Sequence, residues 1–102
     1  MENLYNNKNF LSFLFKELNI TSAKELPEDI NSDSDLNNGY CIYVAKYLQT
    51  IYPNATFYTI GNIFNYHVFI MHNNKYYDAT SLNGTDSINN LEWSKQHPKS
   101  IS

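Results

Sequence analysis

One cysteine, one strand histidine and one strand aspartate are the residues of this chain from which a thiol nucleophile could be assembled. Cys41 lies in "LNNGYCIYVAKYL" (36–48), directly after Asn-Asn-Gly, where a turn-forming segment gives way to a helical pattern. His67 stands in "YHVFIM" (66–71) and Asp78 in "KYYDAT" (75–80). Singly, each has an ordinary role: a small buried hydrophobe for the thiol, a satisfied strand histidine, a turn-starting aspartate. An acidic residue inside a strand-like aromatic run is unusual unless a partner holds it. That favours the joint role, in which a carboxylate fixes an imidazole that activates a thiol.

Magnitudes show why the thiol needs both partners. A helix start stabilises a thiolate by about 0.3–1 kcal/mol, under about one pKa unit. From an ordinary thiol pKa near about 8.5, that leaves the thiolate a minority at neutral pH. An ion pair with protonated His67 is required for a reactive Cys41.

The elements that must position these residues are legible in outline. Phe10, Phe13, Leu14 and Leu18 recur at helical spacing and predict an amphipathic helix over about 7–19. Ser22 and Glu25 are spaced as a capping box for a short second helix that ends near Pro27. "NSDSDLNNG" is a polar, turn-forming break. Cys41, Ala45, Leu48 and Tyr52 share one face of a further helix, which Pro53 stops. "ATFYTI", "YHVFIM" and "KYYDAT" read as three strands, the last two joined through Asn73-Asn74 in a tight turn of positive φ. The segment from Ser81 onward reads as turn-rich, with Trp93 packing back onto the domain, His97 in a fraying end and His72 at the hairpin end.

A two-residue loop at Asn73-Asn74 sets a register with His72 opposite Lys75, Met71 opposite Tyr76 and Phe69 opposite Asp78. His67 and Asp78 then project from the same face as diagonal neighbours, roughly 7–8 Å apart along the backbone. An odd-length loop with a bulge would break that geometry.

Cysteine at a helix start in "NGYC", histidine on a following strand in "YHVFIM" and aspartate on the next in "KYYDAT" together resemble the papain-like superfamily of cysteine hydrolases, in particular its compact transglutaminase-like members. The resemblance covers about residues 36–81. It implies Cys41 as nucleophile, His67 as general base and acid, and Asp78 as the residue orienting His67. Papain carries a glutamine upstream of its cysteine that lines the oxyanion hole. No glutamine precedes Cys41, so Asn37 or Asn38 stands in that place beside the Cys41 backbone N–H. The spacings between the three residues are also tighter than in most members.

The expected fold is therefore α+β: a minimal papain-like or transglutaminase-like core, with a central helix packed on a small antiparallel sheet and helices at the N-terminal end. One domain spans 1–102, divided into a helical part (1–35), the Cys-His-Asp core (36–81) and a turn-rich tail (82–102). The expected activity is acyl transfer at a protein or peptide amide. The alternative is a non-catalytic scaffold of the same fold that blocks a protein target, as small anti-CRISPR-like inhibitors from mobile elements do.

Composition bounds the rest. Of 102 residues, 42% are hydrophobic and 16% aromatic, which suits a globular, sheet-rich domain rather than a disordered chain. Seven basic against ten acidic residues give a formal net charge of −3, with no Lys/Arg cluster, so nucleic acid is not an expected partner. A lone cysteine precludes an internal disulfide. "MENLYNNKNF" lacks the basic and apolar regions of a signal peptide, and no apolar run is long enough to cross a bilayer. A cytoplasmic location follows as the expectation. Cys, His and Asp also ligate zinc, but without a clear fourth ligand or a close-spaced pair neither a metal nor another cofactor is expected.

Overall fold

The computed structural model describes residues 3–21, 25 and 28–100. Its architecture is α+β, with a helix laid across one face of a four-stranded antiparallel sheet. Helix α1 spans Lys8–Leu18, α2 Asp33–Leu36, α3 Cys41–Ile51 and α4 Glu92–Gln96. The strands are β1 Thr56–Gly61, β2 Tyr66–His72, β3 Lys75–Asp78 and β4 Ser81–Thr85, in the sheet order β1-β2-β3-β4. Among the described residues no helix is long and apolar enough to cross a membrane.

Local chemistry sets the ends of α1. The Asn7 side chain accepts the Phe10 N–H (3.0 Å), and Asn19 closes the helix in the left-handed region at φ 57°. Phe10 and Leu14 are buried on its inner face, where Phe10 meets the Tyr47 ring of α3 edge-on (5.3 Å). The capping box at Ser22 and the stop at Pro27 lie outside the described residues.

The polar break differs from the sequence expectation. Ser32 caps a single helical turn, α2, by accepting the Asp35 N–H, and Leu36 at its end is fully buried. Its polar side chains are structural: Asp33 accepts the N–H groups of Leu4 and Tyr5 (both 2.9 Å), and Ser34 donates to Glu92 of α4 (2.5 Å). A one-turn helix has too few residues to show periodicity, which is why the segment reads as a loop.

The two faces of the sheet carry different cores. Val44, Ala45 and Leu48 of α3 join Ile70, Tyr77 and Ala79 in the main hydrophobic core, with Val68 packed against it. Alternation along β2 sends His67 and Phe69 to the opposite face. There Phe69 meets Tyr58 and Tyr76 (both 5.9 Å), and Trp93 of α4 stacks on His67. The stretch from Ser81, expected as a turn-rich tail, thus supplies both the fourth strand and the helix that covers this second face. Strand β4 was hidden because Asn83 and Gly84 weaken any strand pattern, and Gly84 takes φ 84°.

The β2–β3 hairpin has the expected register, His72 opposite Lys75, Met71 opposite Tyr76 and Ile70 opposite Tyr77, with Asn73 and Asn74 at φ 51° and 64°. In the β1–β2 hairpin the key residue is Gly61, at φ 101°. A Cβ there would fall on the Asn65 carbonyl and lie 3.1 Å from the Trp93 ring. Gly61→Ala is therefore expected to cost more than about 1 kcal/mol, lowering Tm by roughly 4–8 °C per kcal/mol. Thermal unfolding followed by circular dichroism checks this.

Candidate active site

Three elements bring the candidate residues together. Cys41 is the first residue of α3, His67 the second of β2 and Asp78 the last of β3. Tyr40 precedes the helix without a side-chain cap, so the first N–H groups of α3, those of Cys41 and Ile42, have no intrahelical acceptor. Because α3 lies across the sheet with its N-terminus at the start of β2, the Cys41 sulfur reaches the sheet backbone. It accepts the Val68 N–H at 3.4 Å.

His67 Nε2 lies 2.9 Å from Asp78 Oδ2, and both side chains are essentially inaccessible (0% and 1% exposed). The diagonal pairing deduced from the hairpin is thus realised as a buried ion pair or charge-assisted hydrogen bond. Asp78 Oδ1 is held by Thr80, which donates to it from its backbone N–H (2.9 Å) and its hydroxyl (3.0 Å). Asn37 in turn donates from Nδ2 to the Thr80 hydroxyl oxygen (3.1 Å). With Oδ1 occupied by two donors, Oδ2 is the oxygen left for His67. Neutral His67 then carries its proton on Nε2, leaving Nδ1 as the basic nitrogen.

Nδ1 has no formed hydrogen bond. The group that interacts electrostatically with the ring besides Asp78 is the Cys41 thiol, and the effect is mutual. Burial pushes the thiol pKa up, but His67 and the Val68 N–H outweigh it and leave Cys41 below its ordinary value. Burial likewise pushes the His67 pKa down, and Asp78 first, then Cys41, bring it above its ordinary value. Both shifts favour the same state, thiolate beside imidazolium.

Trp93 lies parallel to the His67 ring (centroids 5.5 Å, 9° between planes) and is itself buried. His97 also stacks on the Trp93 ring (4.2 Å) and donates from Nδ1 to the Trp93 carbonyl oxygen (2.9 Å). His97 is therefore not part of a loose end: a contact four residues back along the chain fixes it. His72 does sit at the hairpin end, where it stacks on Tyr52 (4.8 Å).

Asn37, Asn38, Gly39 and Cys41 form one wall of a cleft of about 310 Å³, with Ile42, Trp93 and the Phe64–Tyr66 segment completing it. That is near the small end of ligand sites, which run from about 300 to 1,000 Å³. Both asparagines thus reach the site, each with one amide bond tied into the fold: Asn37 to Thr80, and Asn38 to the Ser34 carbonyl (3.0 Å). Asn37 Oδ1 is buried and unpartnered. Among the described residues no group of three or more Cys, His, Asp or Glu side chains stands ready to hold a metal ion.

Thr80 and Trp93 are the site residues that sequence reasoning did not assign. Thr80 had a local signal, since an aspartate commonly accepts the N–H two residues on. Trp93 had none, because its contact with His67 is purely tertiary.

Comparison with protein-family models, with curated proteins and with solved structures finds no match to this chain. The α+β fold and the Cys41-His67-Asp78 geometry therefore carry the functional argument.

Proposed function

We propose that this protein is a cysteine hydrolase of the papain-like type, acting by acyl transfer on an amide of a protein or peptide. The observation that carries the reading is the buried Asp78–His67 pair, whose imidazole acts electrostatically on the Cys41 thiol at the edge of a cleft. In this mechanism His67 Nδ1 takes the Cys41 thiol proton, and the sulfur attacks the amide carbonyl carbon. The Cys41 N–H, free of any helical acceptor, donates to the developing oxyanion, and the second N–H of Asn37 or Asn38 is the candidate for the other donor. The tetrahedral intermediate collapses as the C–N bond breaks and His67 returns the proton to the leaving amine. Water then attacks the thioester, again giving its proton to Nδ1, and releases the carboxylate and the free thiol.

p-Nitrophenyl acetate tests this reading without knowledge of the natural substrate. The protein is expected to release nitrophenolate beyond one equivalent and to carry a transient acetyl group on Cys41 by intact mass. Cys41→Ala is expected to keep the fold and lose both. A stable acetyl adduct without turnover, or no adduct, would leave the inhibitor-like scaffold as the better account.

A further inference from the structure

Asn37 has a polar side chain that its place in the fold does not require. It follows α2 with ordinary right-handed backbone (φ −73°), and the bonds that end that helix come from its backbone N–H, not its side chain. The residue is buried (3% exposed), and Oδ1 has no partner. Leucine has nearly the same shape and brings no orphan acceptor, so stability alone favours an apolar residue here. What the amide contributes lies at its nitrogen.

That nitrogen is directed at Asp78 through one hydroxyl. A carboxylate only accepts hydrogen bonds, so the single Thr80 hydroxyl proton goes to Asp78 Oδ1 (3.0 Å). The Thr80 oxygen is left as an acceptor, and Asn37 Nδ2 fills it (3.1 Å). Donation therefore runs one way, from Asn37 to Thr80 and from Thr80 to Asp78, whose other oxygen holds His67 Nε2 (2.9 Å). The imidazole acts on the Cys41 thiol, and Cys41 follows Asn37 by four residues. The line thus closes into a ring that returns along the backbone from Cys41 to Asn37. The Asn37–Thr80 bond spans 43 residues of sequence and ties the segment before the thiol to the strand end that holds its base.

From this ring we infer that Asn37 is a positioning residue, which through Thr80 holds the Asp78–His67 pair in register with Cys41, and is not the oxyanion donor. Asn38, its exposed neighbour on the same cleft wall, is left for the oxyanion. The inference rests on Cys41 being the nucleophile.

Two reactions of Cys41 separate the roles. Alkylation by iodoacetamide forms no oxyanion, whereas hydrolysis of p-nitrophenyl acetate passes through one. Asn37→Leu is expected to slow alkylation at neutral pH about threefold or more, the factor of one ordinary hydrogen bond. The rise of its pH profile should move upward, towards that of His67→Ala, while its Tm does not fall. Asn37→Ala, which cannot crowd its neighbours, should slow alkylation to the same extent. Thr80→Val should slow it at least as much, and adding Asn37→Leu should change nothing further, since both cut one line. Thr80→Ser keeps the hydroxyl and should recover most of what Thr80→Val loses.

Native alkylation in both Asn37 variants with slower ester hydrolysis would make Asn37 an oxyanion donor and overturn the inference. So would native rates in both reactions, slowing that adds to that of Thr80→Val, or slowing with a lower Tm and an unmoved pH profile. Alkylation of the native protein at the rate of an ordinary thiol would remove the nucleophile itself, and this inference with it.

Discussion

Replacing His67 with alanine is expected to slow alkylation of Cys41 by iodoacetamide at neutral pH on the order of tenfold. The direction follows from the balance around the sulfur. Burial opposes the thiolate, and His67 is the main group that overcomes it, with the Val68 N–H assisting. Without the imidazole the burial penalty remains against the weaker backbone contact, and the thiol titrates higher. The fall in thiolate is partly offset, because a more basic thiolate is intrinsically more nucleophilic.

The pH profile is the sharper readout. In the native protein the rise of the rate should begin at lower pH than for an ordinary thiol, through the lowered Cys41 pKa, and the profile should carry a second inflection at the raised His67 pKa. His67→Ala should show one rise, at higher pH. Trp93 fluorescence, from the ring that stacks on His67, reports whether the variant keeps its fold. A variant profile that overlays the native one would refute the Cys41–His67 pair.

Asp78→Asn is expected to preserve the fold and still remove most of that activation. Thr80 gives two hydrogen bonds to the outer oxygen of residue 78, so an asparagine must place its own oxygen there. Its amide N–H groups would then face His67 Nε2, which becomes an acceptor. The imidazole proton moves to Nδ1, and the nitrogen that should accept the thiol proton is blocked. Alkylation should fall about as far as in His67→Ala, with little loss of stability.

Asp78→Ala should behave differently. It strips an acceptor from His67 and from both Thr80 donors in a site closed to water. A broken buried ion pair costs about 3–5 kcal/mol, and a lost charge-assisted hydrogen bond about 1.5–3. Because the imidazole can shed its proton, the expected loss is about 2–3 kcal/mol, measured by urea unfolding. Native reactivity in Asp78→Asn would mean that Thr80 does not dictate the amide orientation.

The residues of the site were legible in the sequence because two local rules sufficed. Asn73-Asn74 dictates a two-residue turn, and strand alternation then places His67 and Asp78 on one face. The helix start at Cys41 was equally local, set by Asn-Asn-Gly before an apolar face of period 3.6. What lay beyond local rules was missed. Helix α2 is too short for periodicity, β4 contains the strand-weakening Asn83 and Gly84, and His97 owes its order to the Trp93 ring.

Sequence alone thus determined which side chains are available for thiol chemistry and which strand neighbours they have, since turn chemistry and side-chain alternation act within a few residues. Tertiary structure decided the rest. It set the end of the sheet at which the α3 N-terminus meets β2, so that the Cys41 sulfur takes the Val68 N–H and lies within electrostatic reach of the His67 ring. It also placed Trp93 over that imidazole and Phe64 at the mouth of the cleft. Those contacts depend on how the helices pack on the sheet's two faces, and packing between distant segments has no signature in local sequence pattern.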